Sequence, residues 1–595
     1  MGRQNGFRRG DVPGASYDEA RRERERGRSR GGEDLGGGPG RTDAGLMRLT
    51  VFVVVIVAVV VARLLWLQVF TAGSLAREAE AQRTNAVTLH AKRGTIYDRN
   101  GNVLAVSEEC QTVYANPEEI NDPNGAAKLL ADELGGDKDD YYKLLRADGT
   151  FVYLRRQADS DACEKLREEF NEQGIRGIYF LTDTRRVYPY GALAGQVLGL
   201  VGVDGDGLSG LELYYDDILK GTDGQMIMEV GQGGTPIAGA ASEVTPAKDG
   251  TDVIISLDID IQGTAEEQIA AGVEQYGADS GSVVVTNPQN GEILAICSTP
   301  LLDPTDTGSA EEAALTLKPV TSSYEPGSIF KVLTASIGIE NGLMTPDTTW
   351  VVPGKVKVGD SYVGDSDGRE ATVVYSLRDI IAYSSNAGIA MAAQDNIGAK
   401  RFAEGVAAYQ IGQATGIDYP GEGDGIVKTL DEYDGSTLGN MAFGQGVAVP
   451  MIQMVKAIGS IANGGTLYTP HFLMVKGGKE VSWEATGTTV SADTCSAVAD
   501  MMHSVAEYGT GTDVEVDGYK VAVKTGTGEQ VNEDGSGYLQ GKFVSSMIGF
   551  ANVEDPEVLV YVGLNGTGYH GSAAGGMFSA IMSEALSDTG VAPVG

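Results

Sequence analysis

Three short groups of residues in this chain have the types and spacing needed for acyl transfer through a serine. The first is Ser328-Ile329-Phe330-Lys331, which opens a predicted helix ending at Asn341-Gly342. Residues three apart on a helix lie on one face, so Ser328 and Lys331 are predicted neighbours. A serine hydroxyl becomes a nucleophile when a base takes its proton, and lysine is such a base when burial or a nearby cation lowers its pKa. Taken alone, the pair is more typical of an N-capping serine beside a surface lysine.

The second and third groups carry hydroxyl, amide and ammonium functions. In Tyr383-Ser384-Ser385-Asn386, Ser384 could relay a proton, and Asn386 could hold a substrate amide and the Lys331 ammonium. In the third group, the apolar run Val521–Val523 leads into Lys524-Thr525-Gly526-Thr527. We expect Gly526 to allow a ligand to lie along this strand, and Lys524 and Thr525 to bind a carboxylate or assist proton transfer. Alone, these groups are typical of a polar loop and of a strand ending in a turn.

The three groups in this order, together with further motifs, resemble the class B penicillin-binding proteins. Ser-x-x-Lys, Ser-x-Asn and Lys-Thr-Gly form the signature of penicillin-binding proteins and serine β-lactamases. Other matching motifs are Arg93–Gly101, Arg186-x-Tyr188-Pro189, Gly207–Glu212, Gly291–Ala295, Met441–Gly446 and Asn463–Gly465. The similarity covers about residues 46–590, without the glycosyltransferase block of the class A proteins. The chain departs from the family at Gly528, where Ala is common, and we expect this change to loosen the strand slightly.

The resemblance implies a peptidoglycan D,D-transpeptidase that cross-links stem peptides ending in D-alanyl-D-alanine. It assigns Ser328 as nucleophile, Lys331 as base, and Ser384 with Lys524 as the relay to the leaving D-alanine. Backbone N–H groups of Ser328 and Thr527 would form the oxyanion hole, and Thr525 and Thr527 would hold the terminal carboxylate. β-Lactams would acylate Ser328 as covalent inhibitors. No metal or organic cofactor is expected. Expected partners are a membrane-embedded glycosyltransferase and proteins of division or elongation.

Two other functions are compatible with parts of the sequence. A β-lactam hydrolase or sensor would share the acyl-enzyme core, but no base for deacylation can be nominated. A scaffold in a division or sporulation complex would need no catalysis, although all three motifs are intact. The sequence does not distinguish septal, side-wall and sporulation roles, and it does not identify the acceptor amine.

The N-terminal end indicates a membrane anchor. Leu49–Phe70 is 22 residues long and mostly apolar, enough for a helix to cross about 30 Å of hydrocarbon. Residues 1–48 contain 11 Arg and 8 Asp or Glu, so the tail is predicted to be cytoplasmic and the rest extracytoplasmic. We expect a disordered tail over 1–45 and a transmembrane helix over 46–70; a cleaved signal peptide is the alternative. The net charge of −37 argues against nucleic acid as a partner.

The remaining chain is predicted to be α+β, with an elongated pedestal domain over 71–245 and a transpeptidase domain over 246–592. Strands are predicted at both ends of the second domain with helices between them, which indicates a mainly antiparallel sheet flanked by helices. Asn290-Gly291 predicts a hairpin turn between two of these strands. The four cysteines suggest no disulfide framework, and whether Cys110 pairs with Cys163 is left open.

Overall fold

The computed structural model describes residues 42–70, 84–229, 243–531, 538–568 and 572–593. Helix α1 covers Thr42–Leu65 and continues as a π-helical turn over Trp66–Phe70. Its segment Gly45–Gln68 is 24 residues long and apolar enough to cross a membrane. Because α1 begins at Thr42, residues 42–45 are helical, contrary to the prediction of disorder. The rest of the predicted tail and residues 230–242 near the predicted domain joint lie outside the described residues.

Residues 84–255, called here the N-terminal region, combine two sheets with short helices. Their elements are β1 (Thr84–Leu89), β2 (Ile96–Tyr97), β3 (Val103–Ala115), α2 (Pro123–Leu134), α3 (Lys138–Leu144), β4 (Val152–Ala158), α4 (Ser160–Gln173), β5 (Ile178–Val187), α5 (Gly195–Leu198), α6 (Gly210–Tyr214), α7 (Asp216–Leu219), β6 (Gly224–Glu229), β7 (Glu243–Thr245) and β8 (Val253–Ile255).

The long strand β3 organises this region. It pairs antiparallel with β5 from Val106↔Val187 to Ala115↔Ile178, and with β4 near its end. Helix α4 packs on this sheet through residues spaced three and four apart, so that its apolar stripe is buried. Asp159 caps the start of α4 by accepting backbone N–H bonds, and Gly174 ends it in the left-handed conformation.

A buried ion cluster joins three separate segments of the N-terminal region. The fully buried Glu212 carboxylate accepts hydrogen bonds from Arg93 Nε and, at 2.6 Å, from Arg186 Nε. Arg93 Nη1 also donates to Asp216 at 2.6 Å. Arg93, Arg186 and Glu212 lie within motifs on which the family resemblance depends. Their ion pairs join the segment before β2 to β5 and α6.

One sheet crosses the predicted boundary at residues 245 and 246. Strand β8 pairs parallel with β2 and antiparallel with β18 (Leu473–Lys476), giving the strand order β19-β18-β8-β2-β3-β4, with β19 at Lys479–Glu480. Backbone hydrogen bonds therefore couple the N-terminal region to the part of the chain that carries the three chemical groups. No local pattern predicts this shared sheet, because pairing between distant strands depends on tertiary packing.

Residues 256–593, the C-terminal region, contain the remaining elements. They are α8 (Ile259–Tyr276), β9 (Ser280–Thr286), β10 (Ile293–Ser298), α9 (Lys318–Thr321), β11 (Ser323–Tyr324), α10 (Lys331–Glu340), β12 (Thr349–Val352), β13 (Lys355–Val358), β14 (Ser361–Gly364), β15 (Val373–Ser376), α11 (Leu377–Ala382), α12 (Asn386–Ala392), α13 (Ala399–Ala408), α14 (Thr437–Met441), β16 (Val449–Pro450), α15 (Met451–Ala462), β17 (Thr466–Tyr468), β18 and β19 as above, β20 (Ala485–Thr488), α16 (Ala492–Tyr508), β21 (Val521–Val531), β22 (Tyr538–Ala551), β23 (Leu559–Thr567) and α17 (Gly575–Asp588).

The main sheet of this region is antiparallel throughout, with the order β10-β9-β23-β22-β21. Helices α8 and α17 pack on this sheet, as do α15 and α16, and its strands β9 and β10 are almost entirely buried. The predicted α+β class, the hairpin at Asn290-Gly291 and the strand leading into Lys524 are confirmed. Strand β21, which carries Lys524, lies at the edge of the sheet within the described residues.

All four cysteines are buried free thiols, Cys110 and Cys163 included. Burial raises the pKa of the Cys110 thiol to about 12. The structure therefore keeps its fold without a disulfide between these two residues.

Replacement of Glu212 by Gln is expected to destabilise the N-terminal region strongly. The change removes the carboxylate that pairs with Arg186 and leaves Arg93 with Asp216 alone, and breaking such a buried pair costs about 3–5 kcal/mol. The measurement is urea denaturation of the detergent-solubilised protein. Glu108→Gln is the matched control, because Glu108 pairs with Arg185 while half-exposed and its loss should cost less than about 1 kcal/mol. Equal midpoints for the two variants would contradict the structural role given to Glu212.

Candidate active site

Ser328 lies in a single 3₁₀ turn, Gly327–Phe330, that leads directly into α10. Ile329 and Phe330 are completely buried, while Ser328 is only half-buried. Burial of its neighbours thus fixes the turn and leaves the hydroxyl accessible. The predicted helical run ends at Asn341, as expected.

Two glycines allow the segment Phe443–Gly446 to pack against this turn. Gly327 has φ +53° and donates its N–H to Gly444 O at 3.2 Å. A Cβ added to Gly444 would lie 2.1 Å from Gly327 O, which no side chain tolerates. The sequence had marked residues 443–446 only by resemblance, and the structure shows that they support the Ser328 turn through backbone contact.

Lys331 is completely buried at the first position of α10. Its Nζ donates to the backbone oxygen of Ser384 and, at 3.2 Å, to Ser384 Oγ. Burial, reinforced by the positive charge of Lys524, holds the pKa of Lys331 well below its usual range, and the negative charge of Asp365 partly opposes this shift. An amine in this state can accept a proton, as the predicted base requires.

Lys524 reaches the same hydroxyl from the edge strand β21. Its completely buried Nζ donates to Ser384 Oγ at 2.9 Å and to Thr525 O at 2.8 Å. Burial lowers the pKa of Lys524 to about 7. The predicted link between Ser384 and Lys524 is therefore present, and a continuous hydrogen-bonded path joins the two lysines through one hydroxyl.

Ser384 occupies the corner between α11 and α12 in a left-handed backbone conformation, with φ +57°. The N–H groups of Ser384 and Ser385 bond back to Ile381 O and Ile380 O, which closes the end of α11. Glycine is the usual residue at this position of a helix end, and another residue there carries a backbone cost of about 1 kcal/mol. Serine at this corner supplies the side-chain hydroxyl that both lysines contact, which glycine lacks.

Asn386 and Thr525 each bond to a group outside the Lys331–Ser384–Lys524 path. Asn386 is the first residue of α12 and its Nδ2 donates to Gly364 O at 3.4 Å. The predicted contact between Asn386 and the Lys331 ammonium is not among the hydrogen bonds of the described residues. Thr525 Oγ1 shares a hydrogen bond of 2.6 Å with Thr510 Oγ1, a partner that no sequence motif predicts.

The small size of Gly526 serves the packing of the protein itself. A Cβ there would lie 2.3 Å from Ser546 Oγ and 3.1 Å from Ile329 Cδ1. Contact with the neighbouring strand and the Ser328 turn is therefore a reason for glycine here in addition to the expected approach of a ligand, which stays a prediction. At Gly528 a Cβ would approach Glu325 O no closer than 3.4 Å, so the alanine common in the family would fit. Thr527, on the same strand, is partly exposed beside the Ser328 turn.

Asp365 is the site residue that sequence reasoning missed most clearly. It follows β14 directly and accepts hydrogen bonds from Ser385 Oγ and from Ala387 N, at the start of α12. A lone aspartate in a turn between two short strands has no motif that marks it. Only the fold brings it against the segment that carries Ser384.

Comparison with known proteins identifies the family. The penicillin-binding protein transpeptidase domain matches residues 281–583, and the penicillin-binding protein dimerisation domain matches residues 88–255. Stage V sporulation protein D of Bacillus subtilis is 31% identical over 92% of this chain and 86% of its own length. The chain belongs to the class B penicillin-binding proteins. The first match contains every predicted site residue, and the second contains the buried Arg93–Glu212–Arg186 cluster.

Two further relatives extend the family match in sequence and in structure. Peptidoglycan D,D-transpeptidase FtsI of Escherichia coli is 26% identical over 90% of each chain. The crystal structure of penicillin binding protein 2X from Streptococcus thermophilus has a TM-score of 0.71 and 28% identity, covering 84% of this chain and 80% of that one. The family architecture of an N-terminal apolar helix, a dimerisation domain and a transpeptidase domain with an antiparallel sheet is therefore present here.

Ser384→Gly and Ser384→Ala should separate the backbone cost at this corner from the chemistry of the hydroxyl. Both variants lose the group that bridges the lysines, so both should lose acylation by a penicillin, by about a hundredfold or more. Only glycine relieves the left-handed strain, so Ser384→Gly should melt at a higher temperature than Ser384→Ala. Thermal unfolding and penicillin labelling measure the two effects. A Ser384→Gly protein that acylates at the wild-type rate would contradict the relay assigned to this hydroxyl.

Proposed function

We propose that this chain is a peptidoglycan D,D-transpeptidase that works through an acyl-enzyme on Ser328. The observation that carries the proposal is the pair of buried lysines that share the Ser384 hydroxyl beside the Ser328 turn. Membership of the class B family supports the reaction class. The substrate is a stem peptide ending in D-alanyl-D-alanine, and β-lactams act as covalent inhibitors that imitate this end.

Acylation begins with transfer of the Ser328 proton to the neutral amine of Lys331. Ser328 Oγ then forms a bond to the carbonyl carbon of the penultimate D-alanine, and the peptide C–N bond breaks. The proton returns through Ser384 to the departing D-alanine nitrogen, with Lys524 on the other side of the relay. In the described residues Lys331 bonds to Ser384 rather than to Ser328, and catalytic hydrogen bonds commonly tighten only when substrate is bound.

The edge strand β21 provides the docking surface for the substrate backbone. A peptide lying antiparallel to β21 would gain main-chain hydrogen bonds along its unpaired edge. The N–H groups of Ser328 and Thr527 would stabilise the developing oxyanion, and Thr525 with Thr527 would hold the terminal carboxylate. Asn386 would bind the substrate amide. An amine of a second stem peptide then attacks the ester carbonyl and regenerates the Ser328 hydroxyl.

The apolar helix α1 anchors this chemistry at the membrane. Its length fits one crossing. The arginine-rich segment before it favours a cytoplasmic N-terminus, which places the C-terminal region outside, where peptidoglycan lies. A membrane-embedded glycosyltransferase and proteins of division or elongation are the proposed partners, because the enzyme acts on glycan strands that such machinery supplies.

A fluorescent penicillin should label the purified full-length protein covalently, and the label should be lost slowly. Ser328→Ala should take up no label, since it lacks the nucleophile. Ser322→Ala is a matched control, because Ser322 is an exposed serine nearby, and it should label like the wild type. Rapid loss of label with turnover of the drug would indicate a β-lactam hydrolase instead. A wild-type protein that never labels would indicate a scaffold.

The acylation rate should fall as pH is lowered, because Lys331 must be neutral to act as base. Since its pKa is held below the ordinary lysine value of 10.5, the midpoint of this fall should lie well below 10.5. Lys331→Ala should abolish acylation across the whole range while leaving the melting temperature near that of wild type. The measurement is the rate of penicillin acylation as a function of pH. A midpoint near the ordinary lysine value, or acylation by Lys331→Ala near the wild-type rate, would contradict this assignment.

A further inference from the structure

Asp365 is bound to the segment that carries Ser384 by three hydrogen bonds. Ser385 Oγ donates to both carboxylate oxygens, at 2.9 and 3.0 Å, and the N–H of Ala387 donates to Oδ1 at 3.0 Å. Ser385 Oγ in turn accepts from Gly388 N at 3.0 Å, which caps α12. Hydrogen bonds to an ionised carboxylate are about twice as strong as neutral ones. The carboxylate therefore fixes the residues immediately after Ser384 on the α12 side of the corner.

Arg369 holds Asp365 in place from the opposite side. Its Nη2 donates to Asp365 Oδ2 at 2.7 Å, and both side chains are about nine-tenths buried, with 10% and 9% of their surface exposed. Nη1 also donates to Val352 O at 3.2 Å, and the guanidinium lies over the ring of Tyr375, 5.6 Å from its centre. Because Arg369 is anchored to β12 and β15, the carboxylate has a fixed position independent of substrate.

The charge of Asp365 also reaches the base. Two charged groups shift the pKa of Lys331 in opposite directions: Lys524 on β21 lowers it and Asp365 raises it. The carboxylate makes no hydrogen bond to the Lys331 amine among the described residues, so this influence acts through space. A group that only supported the backbone would have no such effect on the amine.

We propose that Asp365 is a positioning residue of the transpeptidase site, which fixes Ser384 Oγ between Lys331 and Lys524. The left-handed corner at Ser384 carries a backbone cost, and it persists because both sides are held: α11 closes one side and Asp365 holds the other. The negative charge of Asp365 has a second consequence, because it favours the protonated form of Lys331. This inference rests on the proposed function of Ser328 and Lys331.

The test compares Asp365→Asn with Asp367→Asn in the full-length protein. The amide of this variant keeps one acceptor oxygen, but its NH₂ group cannot accept hydrogen bonds from Ser385 or Ala387. The change also removes the negative charge that faces Arg369. Misplacement of a reacting group by about 1 Å costs about a hundredfold in rate, so penicillin acylation at pH 8 should fall by at least about tenfold. Asp367 is an exposed neighbour that accepts only from Arg369 N, and its replacement removes the same charge two positions away. It should leave the rate unchanged.

The pH profile distinguishes positioning with electrostatic control from simple structural support. The acid limb of the profile is the pH range in which the acylation rate falls as pH is lowered. Because Asp365 stabilises the protonated form of Lys331, Asp365→Asn should move this limb to lower pH, while Asp367→Asn leaves it in place. An unchanged rate, or a reduced rate with an unmoved limb, would overturn the proposal.

Two further variants keep the result interpretable. If Asp365→Asn fails to fold, Ser385→Ala takes its place. This variant breaks the hydrogen bonds between Ser385 and Asp365 but keeps the charge of Asp365, so it should reduce the acylation rate without moving the acid limb. A wild-type acylation rate in Ser385→Ala would equally overturn the proposal. Wild type and Ser328→Ala are run in parallel. Failure of the proposed function would appear as a wild type that never labels, which is distinct from an Asp365→Asn protein that labels normally.

Discussion

Two lysine amines buried beside a single serine hydroxyl are the constraint on which the rest of this site depends. A buried ammonium ion is costly, and two of them close together are more so, which favours the neutral amine in at least one. Lys331 and Lys524 are both completely buried, and they converge on Ser384 from a helix and from an edge strand. The fold thereby lowers the pKa of both amines, as the proposed base requires.

Much of the surrounding architecture can be understood as holding this arrangement rigidly. The Ser328 turn is fixed by buried Ile329 and Phe330, and Gly327 and Gly444 let a second segment pack directly on its backbone. Ser384 remains in a left-handed conformation that favours glycine, because helices end and begin on either side of it. Strain concentrated at a chemically active residue is typical of functional sites, where surrounding contacts maintain it.

The sequence predicted the parts of the site that are local and missed those that the fold assembles. The helix ending at Asn341 and the apolar strand before Lys524 obey short-range rules, so both were predicted correctly. Asp365 and Thr510 reach the site from turns distant in sequence, where no periodicity marks them. Gly526 was predicted to be small for a ligand, and its close packing against Ser546 is a further reason that the sequence did not reveal. The sheet shared through β8 was also missed, because strand pairing at long range depends on tertiary packing.

The central claim is that Lys331 is a neutral amine at the pH at which the enzyme works. Nuclear magnetic resonance of protein carrying ¹³C-labelled lysine tests it directly, since the Cε shift of each lysine reports its protonation; Lys331→Met identifies the resonance. We predict that this resonance titrates well below the ordinary lysine value of 10.5. A Lys331 resonance that remains that of an ammonium ion up to pH 10 would contradict the account.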